Sequence, residues 1–345
     1  MKKTLKSCFL LVSLSALLIG CDNSSNHGGN NNPPAPHVEE EKTIDIILLS
    51  GQSNAAGYSP IQNNQTETFE NVMYAGMTDK VFIGNNATIS SDFLSDVNNW
   101  KQEVTAGLGY STRHIGPEYG IAKYFNDSYD ENHKLLIVKT ASGGTTLADV
   151  SSNASGYYGN WYPRSLWPAG YTPDIRRTYS TNKATGLLYK LMIENFKFVY
   201  NTLVEEGYEP NILGVCWSQG ESDADLGGNY ITNYGSLLET FIKDVREDVA
   251  EITGDDSYIE NLPFSIAMTC PSYNGYNRNA NFQIRSQQQS VAFHTENCEA
   301  IDLKDAVVVK ENGQYNDGCE DPWHYNFADM TRSGLTLAES IERMN

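Results

Sequence analysis

The chain has 345 residues, 40% of them hydrophobic and 19% charged, which suits a large globular domain with a full core and excludes a disordered chain. Its formal net charge of −19 at pH 7 repels phosphate backbones, so nucleic acid is excluded as a partner, and polyanionic substrates are disfavoured unless a local basic patch exists. Aromatic residues reach 11%, with 21 Tyr; an apolar ring with a polar tip suits a sugar-contacting surface as well as it suits an ordinary one.

Lys2, Lys3 and Lys6 precede the apolar run Phe9–Ile19, the pattern of an export signal and too short for a membrane span. The run ends in Leu18-Ile19-Gly20-Cys21, which resembles a bacterial lipobox. Residues 1–20 therefore read as a lipoprotein signal peptide and Cys21 as the lipidated mature N-terminus; the alternative is an ordinary secretory signal with an incidental Cys. Residues 21–42 carry that Cys and an Asn-, Ser-, Gly- and Pro-rich tether without apolar periodicity. The expectation is an exported protein anchored to a bacterial membrane, on its periplasmic or cell-surface side, with residues 43–345 as a single domain.

Within that domain Ile44–Ser50 is a continuous apolar, β-branched run, as a strand buried on both faces requires. Similar runs recur at Lys134–Lys139, Ile212–Trp217, Phe264–Thr269 and Ala300–Leu303. Helical periodicity lies between them at Pro117–Asn126, Asn182–Glu206, Tyr230–Ile252 and Asn281–Phe293. Alternating strand and helix predicts an α/β domain with a mostly parallel sheet covered on both faces, whose ligands sit beyond the carboxyl ends of the strands.

Two stretches break the rhythm. Thr145–Tyr179 is long and aromatic, and we read it as a wall of a substrate cleft, with Trp161, Trp167 and Arg164 as contacts; a structural flap is the alternative. Asn85–Ile115 would form the opposite rim. Cys216 and Cys270 read as small core residues, whereas Cys298 and Cys319 share the C-terminal stretch and are expected to pair as a disulfide. No CxxC or His-rich spacing suggests a metal.

The chemistry concentrates at two ends of the chain. Strand Ile44–Ser50 runs into Gly51-Gln52-Ser53-Asn54-Ala55-Ala56-Gly57, which holds a hydroxyl at the sheet's ligand edge. Alone, this turn is equally a helix-capping Ser beside a structural Gly. At the other end, Asp321-Pro322-Trp323-His324 spaces a carboxylate so that it accepts from one ring nitrogen while the other faces a serine. Alone, it is equally a surface pair or a partial metal site, and Asp317 and Glu320 are rival orienters.

Together these residues resemble the SGNH-hydrolase superfamily, in its sialate O-acetylesterase-like and carbohydrate esterase family six branch. The blocks that carry the resemblance stand in order as Gly51-Gln52-Ser53-Asn54, Gly116-Pro117-Glu118, Ser142-Gly143-Gly144-Thr145, Trp217-Ser218-Gln219-Gly220-Glu221-Ser222-Asp223 and Asp321-Pro322-Trp323-His324. The resemblance implies a flavodoxin-like three-layer α/β/α sandwich and ester hydrolysis with no cofactor. It implies Ser53 as nucleophile, His324 as general base and Asp321 as its orienter. The oxyanion hole would be the Ser53 amide, the Gly143-Gly144 turn and the Gln219 side chain, with Gln52, Asn54 and Glu118 in support. Glu221 and Asp223 suggest a paired-carboxylate glycosidase site, but we favour bracing of the Gln219 loop. The implied substrate is an acetylated carbohydrate. Stacking Trp and Tyr favour xylan or a related glycan, whereas Arg164, Arg176 and Arg177 keep sialic acid open. The other classes are a carbohydrate-binding lipoprotein without catalysis and a lipase or thioesterase of the same fold.

Overall fold

The computed structural model describes residues 42–62, 67–77, 102–150, 159–174, 184–271, 278–306, 308–310 and 314–345. The signal segment, Cys21 and nearly all of the tether lie outside the described residues, as do Arg176 and Arg177. In chain order the strands are β1 (Lys42–Gly51), β2 (Ser59–Pro60), β3 (Thr68–Met77), β4 (Gln102–Thr105), β5 (His114–Ile115), β6 (His133–Ala141), β7 (Tyr208–Ser218), β8 (Phe264–Ala267) and β9 (Cys298–Ile301). The α-helices are α1 (Ser53–Ala56), α2 (Pro117–Phe125), α3 (Leu187–Glu205), α4 (Glu221–Leu226), α5 (Asn229–Thr232), α6 (Tyr234–Thr253), α7 (Tyr258–Asn261), α8 (Arg278–His294) and α9 (Phe327–Met344).

The main sheet has seven strands in the order β4-β3-β6-β1-β7-β8-β9. All neighbours run parallel except the antiparallel edge pair β3 and β4. Strand β1 is central because it is apolar on both faces. Ile44, Ile46 and Leu48 join α3, α6 and α8 in one core layer, while Ile47 and Leu49 join α2 and α9 in the other. The same alternation splits Leu136 and Val138 from Leu135 and Ile137 on β6, and Val215 and Trp217 from Cys216 on β7. Helices on both faces of a parallel sheet make the three-layer α/β/α sandwich that the alternation predicted.

Several expectations need correction. Cys298 and Cys319 are free, as are Cys216 and Cys270, so the expected disulfide does not form. The reason is topological: Cys298 packs against the α3, α6 and α8 layer, whereas Cys319 packs against the α2 and α9 layer across the sheet. Nearness in sequence placed the two thiols on opposite faces of the sheet. The helix expected over Tyr230–Ile252 is broken at Asn233 into the end of α5 and α6. Strand β4 falls inside the expected Asn85–Ile115 rim, as an edge strand of the sheet. Helix α9, amphipathic and capped by the Asn326 side chain accepting from the Asp329 amide at 2.8 Å, went unread, and so did β3.

Candidate active site

The carboxyl ends of β1, β6 and β7 meet at one edge of the sheet. Gly51 closes β1 at φ 140°, and a Cβ there would lie 2.0 Å from the Ser218 carbonyl oxygen, so only glycine lets β1 turn this tightly against β7. Ser53 then opens α1, which ends at left-handed Gly57 (φ 91°) against the Gly116 backbone. The turn is fixed from below by a buried ion pair. Lys139 on β6 donates from Nζ to the Ala56 carbonyl at 2.9 Å and to Glu118 Oε2 at 2.7 Å. Glu118 Oε1 in turn accepts from the Gly116 amide at 2.8 Å. Both side chains are essentially inaccessible to solvent, so each charge depends on the other. Lys139 is a functional neighbour that the sequence reading missed; a Lys directly after the apolar run Leu135–Val138, toward the ligand end of the strand, was the available signal.

Gln52 ties the end of β1 to the loop after β7. Its amide donates to the Ser218 carbonyl at 2.9 Å, and its Oε1 accepts from the Gly220 and Ser222 amides, each at 3.2 Å. Asn54 donates from Nδ2 to Glu221 Oε1 at 3.0 Å, so Glu221 braces the residue beside Ser53. Burial raises the Glu221 carboxyl, against the pull of its hydrogen bonds and of His324. Asp223 accepts from the Leu147 amide at 2.9 Å and the Ala148 amide at 3.1 Å, and from Gln219 Nε2 at 2.6 Å. Burial pushes its carboxyl up to about 6 despite those bonds.

Gln219, which the resemblance implies as an oxyanion donor, also joins loops. Its Nε2 donates to Asp223 at 2.6 Å and to the Thr145 carbonyl at 3.0 Å, with Gln52 Oε1 a third acceptor at 3.3 Å. All three neighbours are acceptors, which fixes the amide's orientation. Gln219 thereby ties the loops after β6 and β7 together beside the serine turn. The Gly143-Gly144 turn follows β6 directly, after Ser142, whose amide donates to the Gly51 carbonyl at 3.1 Å.

The C-terminal segment meets this edge from the α9 side. His324 Nδ1 lies 2.6 Å from Asp321 Oδ2, while Asp321 Oδ1 accepts from the Trp323 amide at 2.8 Å and the His324 amide at 3.0 Å. Burial alone would raise the Asp321 carboxyl, but the His324 ring and these amides hold it below the usual carboxylate range. The rival orienters are occupied elsewhere: Asp317 pairs with Lys310 at 2.8 Å, and Glu320 faces His114 at 3.6 Å. Asn54 Nδ2 also reaches the Trp323 carbonyl at 3.5 Å, which brings the neighbour of Ser53 to the neighbour of His324. Tyr58, at the far side of α1, stacks on the His324 ring at 4.6 Å with 19° between the planes. Its other face stacks on Tyr110 at 4.2 Å. Tyr58 too went unread in the sequence.

The three expected cleft contacts have partners within the protein. Trp161 is fully buried, donates to Thr145 Oγ1 at 2.9 Å and packs edge-on to Trp217 in the core. Trp167 donates to the Tyr162 carbonyl at 3.0 Å and packs edge-on to Tyr189. Arg164 is paired with Asp248 at 3.0 Å and Glu247 at 3.2 Å on α6. In the described part of the aromatic segment, these bonds and packed rings anchor both Trp side chains into the protein. Among the described residues no His, Cys, Asp and Glu group could hold a metal ion.

A buried serine turn, an Asp-bound imidazole and glycine-rich backbone at the carboxyl edge of a parallel sheet define a hydrolase-type α/β/α protein. Residues 43–341 match the family "Carbohydrate esterase, sialic acid-specific acetylesterase", and the chain belongs to that family, whose members are esterases of carbohydrates. Two solved structures share the fold. One is a protein from Arabidopsis thaliana, 18% identical, covering 87% of this chain and 98% of its own, with a TM-score of 0.53. The other is NanS, 13% identical, covering 88% of this chain and 97% of its own, with a TM-score of 0.54. No curated protein matches the chain.

Proposed function

We propose that this esterase removes O-acetyl groups from a glycan by a serine mechanism with Ser53, His324 and Asp321 as nucleophile, base and orienter. The observation that carries the reading is the convergence at α1. The Asp321-bound ring of His324 stacks on Tyr58, and Asn54 beside Ser53 reaches the carbonyl beside His324. His324 takes the Ser53 proton as the hydroxyl attacks the acetyl carbonyl. The oxyanion is met by the Ser53 amide and the Gly143-Gly144 turn, donors of a kind typically worth roughly 10²–10³ in rate each. His324 then protonates the departing sugar hydroxyl, and water repeats the sequence to release acetate.

Asp321 fixes which ring nitrogen carries the proton and keeps the imidazole oriented, and its lowered carboxyl suits a partner that stays ionised while His324 cycles. Because the base acts only when neutral, kcat/KM is expected to fall on acidification; a rate that does not fall in acid would count against a histidine base. The lipobox-like Leu18-Ile19-Gly20-Cys21 supports an enzyme tethered outside the cytoplasm, where large glycans are met.

The test is acetate release from acetylated xylan, other acetylated glycans and acetylated sialosides, with Ser53→Ala as the blank. Release abolished in the blank is expected. No release above it from any glycan, or a strong preference for octanoyl over acetyl esters, would sink the reading.

A further inference from the structure

Beside the candidate active site lies a cavity of about 310 Å³ lined by Ala148, Asp149, Tyr162, Asn229, Tyr230, Asn233 and Leu237, a size at the lower end of small-molecule sites. Resting on the esterase reading above, we propose that this cavity is a subsite for an uncharged sugar residue of a longer glycan, beyond the unit that carries the acetyl ester.

Its walls grow from the two loops that flank Ser53. One wall, Ala148 and Asp149, ends the segment that leaves β6 at Ser142 beside the Gly51 carbonyl. The other, Asn229 to Leu237, follows α4, which begins at Glu221 just after Gln219. Asp223 locks the walls together through the Leu147 and Ala148 amides and Gln219. Gln219 Nε2 lies 3.3 Å from Oε1 of Gln52, the residue before Ser53, and 2.6 Å from Asp223, which holds the Ala148 amide, so a continuous chain of hydrogen bonds joins the serine turn to the cavity wall.

The lining has the chemistry of a neutral polyol site. Within the described residues the side chains of Tyr162, Asn229, Tyr230 and Asn233 make no hydrogen bond to the protein, leaving two hydroxyls and two carboxamides to serve ligand hydroxyls. The Asp149 carboxylate accepts from Asn160 Nδ2 at 3.2 Å, from Thr185 Oγ1 at 3.0 Å and from the Val150 amide, and its two oxygens have further acceptor capacity for a sugar hydroxyl. The partly exposed Tyr162 and Tyr230 rings offer apolar faces of the kind that meet the C–H face of a sugar ring. Asp149 is the sole formally charged side chain of the lining, and it is negative. Arg164, the guanidinium that a sialic acid carboxylate would want, is committed to Asp248 and Glu247. Among the described lining residues a carboxylate-bearing sugar would therefore meet a negative charge and no cation.

The experiment titrates xylohexaose, cellohexaose and sialyllactose into the full chain carrying Ser53→Ala, with and without Tyr230→Ala or Asn229→Ala. Unfolding curves verify that each variant is folded. The expected result is binding of at least one neutral hexasaccharide, weakened tenfold or more by both Tyr230→Ala and Asn229→Ala, with sialyllactose weaker than either parent oligosaccharide. Equal affinity in the variants, preference for sialyllactose, or no neutral binding up to about 10 mM would overturn the subsite. Hydrolysis of 4-nitrophenyl acetate by the unaltered chain separates the two failures. Its absence defeats the esterase reading, whereas its presence without neutral-sugar binding defeats the subsite alone.

Discussion

The two halves of the candidate site are held by different means. The Ser53 half is wired by long-range bonds between buried groups: Lys139 to Ala56 and Glu118, Gln52 to Gly220 and Ser222, Asn54 to Glu221. The His324 half is held mainly by itself, since Asp321 serves its own ring partner and the two amides that follow it. Its chief supports from outside are the Tyr58 ring and Asn54. The difference teaches that damage to the first half should be felt as instability, and damage to the second as lost chemistry with the fold intact.

The largest effect expected is on the second half. Asp321→Asn should lower kcat by about 10⁴-fold, because the ring loses its tautomer and orientation, while the unfolding midpoint stays near that of the parent. A matching loss of stability would break the contrast between the halves. Lys139→Met should do the reverse, costing about 3–5 kcal/mol of unfolding free energy in denaturant titrations by leaving Glu118 buried without its partner. A variant as stable as the parent would show that the ion pair is not what fixes α1.

The pH response sharpens the same contrast. Asp223 titrates near 6 when folded against an ordinary 3.8, so between these values the native chain holds a proton that the unfolded chain has lost. Its contribution to stability is present below about pH 4 and is lost as pH rises through 6, by roughly 3 kcal/mol at about 1.4 kcal/mol per unit. Asp223→Asn should remove that slope, which thermal unfolding across pH 4 to 7 would reveal; an unchanged slope would assign the titration to other groups. The smallest effect expected is Tyr58→Ala, about fivefold in kcat with little change in KM, since a stacked pair is worth roughly 1 kcal/mol.

How far the site was legible follows from which partners are near in sequence. Asp321 and His324 are three residues apart, and the loop that holds them closes locally, so the pair could be read directly. Gly51 through Asn54 follow an unmistakable buried strand, so the position of the serine turn at the sheet edge could be read as well. The roles of Gln219 and Trp161 could not. One depends on a carboxylate and a carbonyl brought from other loops, the other on a core layer whose depth no local pattern reveals. Strand β3 was obscured by Glu70, Asn71 and Gly76, because its neighbour on one side is only a short edge strand and the apolar run is broken. Helix α9 carries its own cap and amphipathic periodicity, so it is legible from the sequence alone.

By itself, the sequence determined the alternation of strands and helices, the central place of Ile44–Ser50 and the pairing of Asp321 with His324. Each rests on apolar periodicity or on a contact within one short loop. Only the tertiary structure decided that Cys298 and Cys319 lie on opposite faces of the sheet, that Lys139 supports α1 and that Gln219 ties two loops together. A polar side chain's partner is set by which distant backbone groups burial leaves in need of a hydrogen bond, and that demand exists only once the layers have closed.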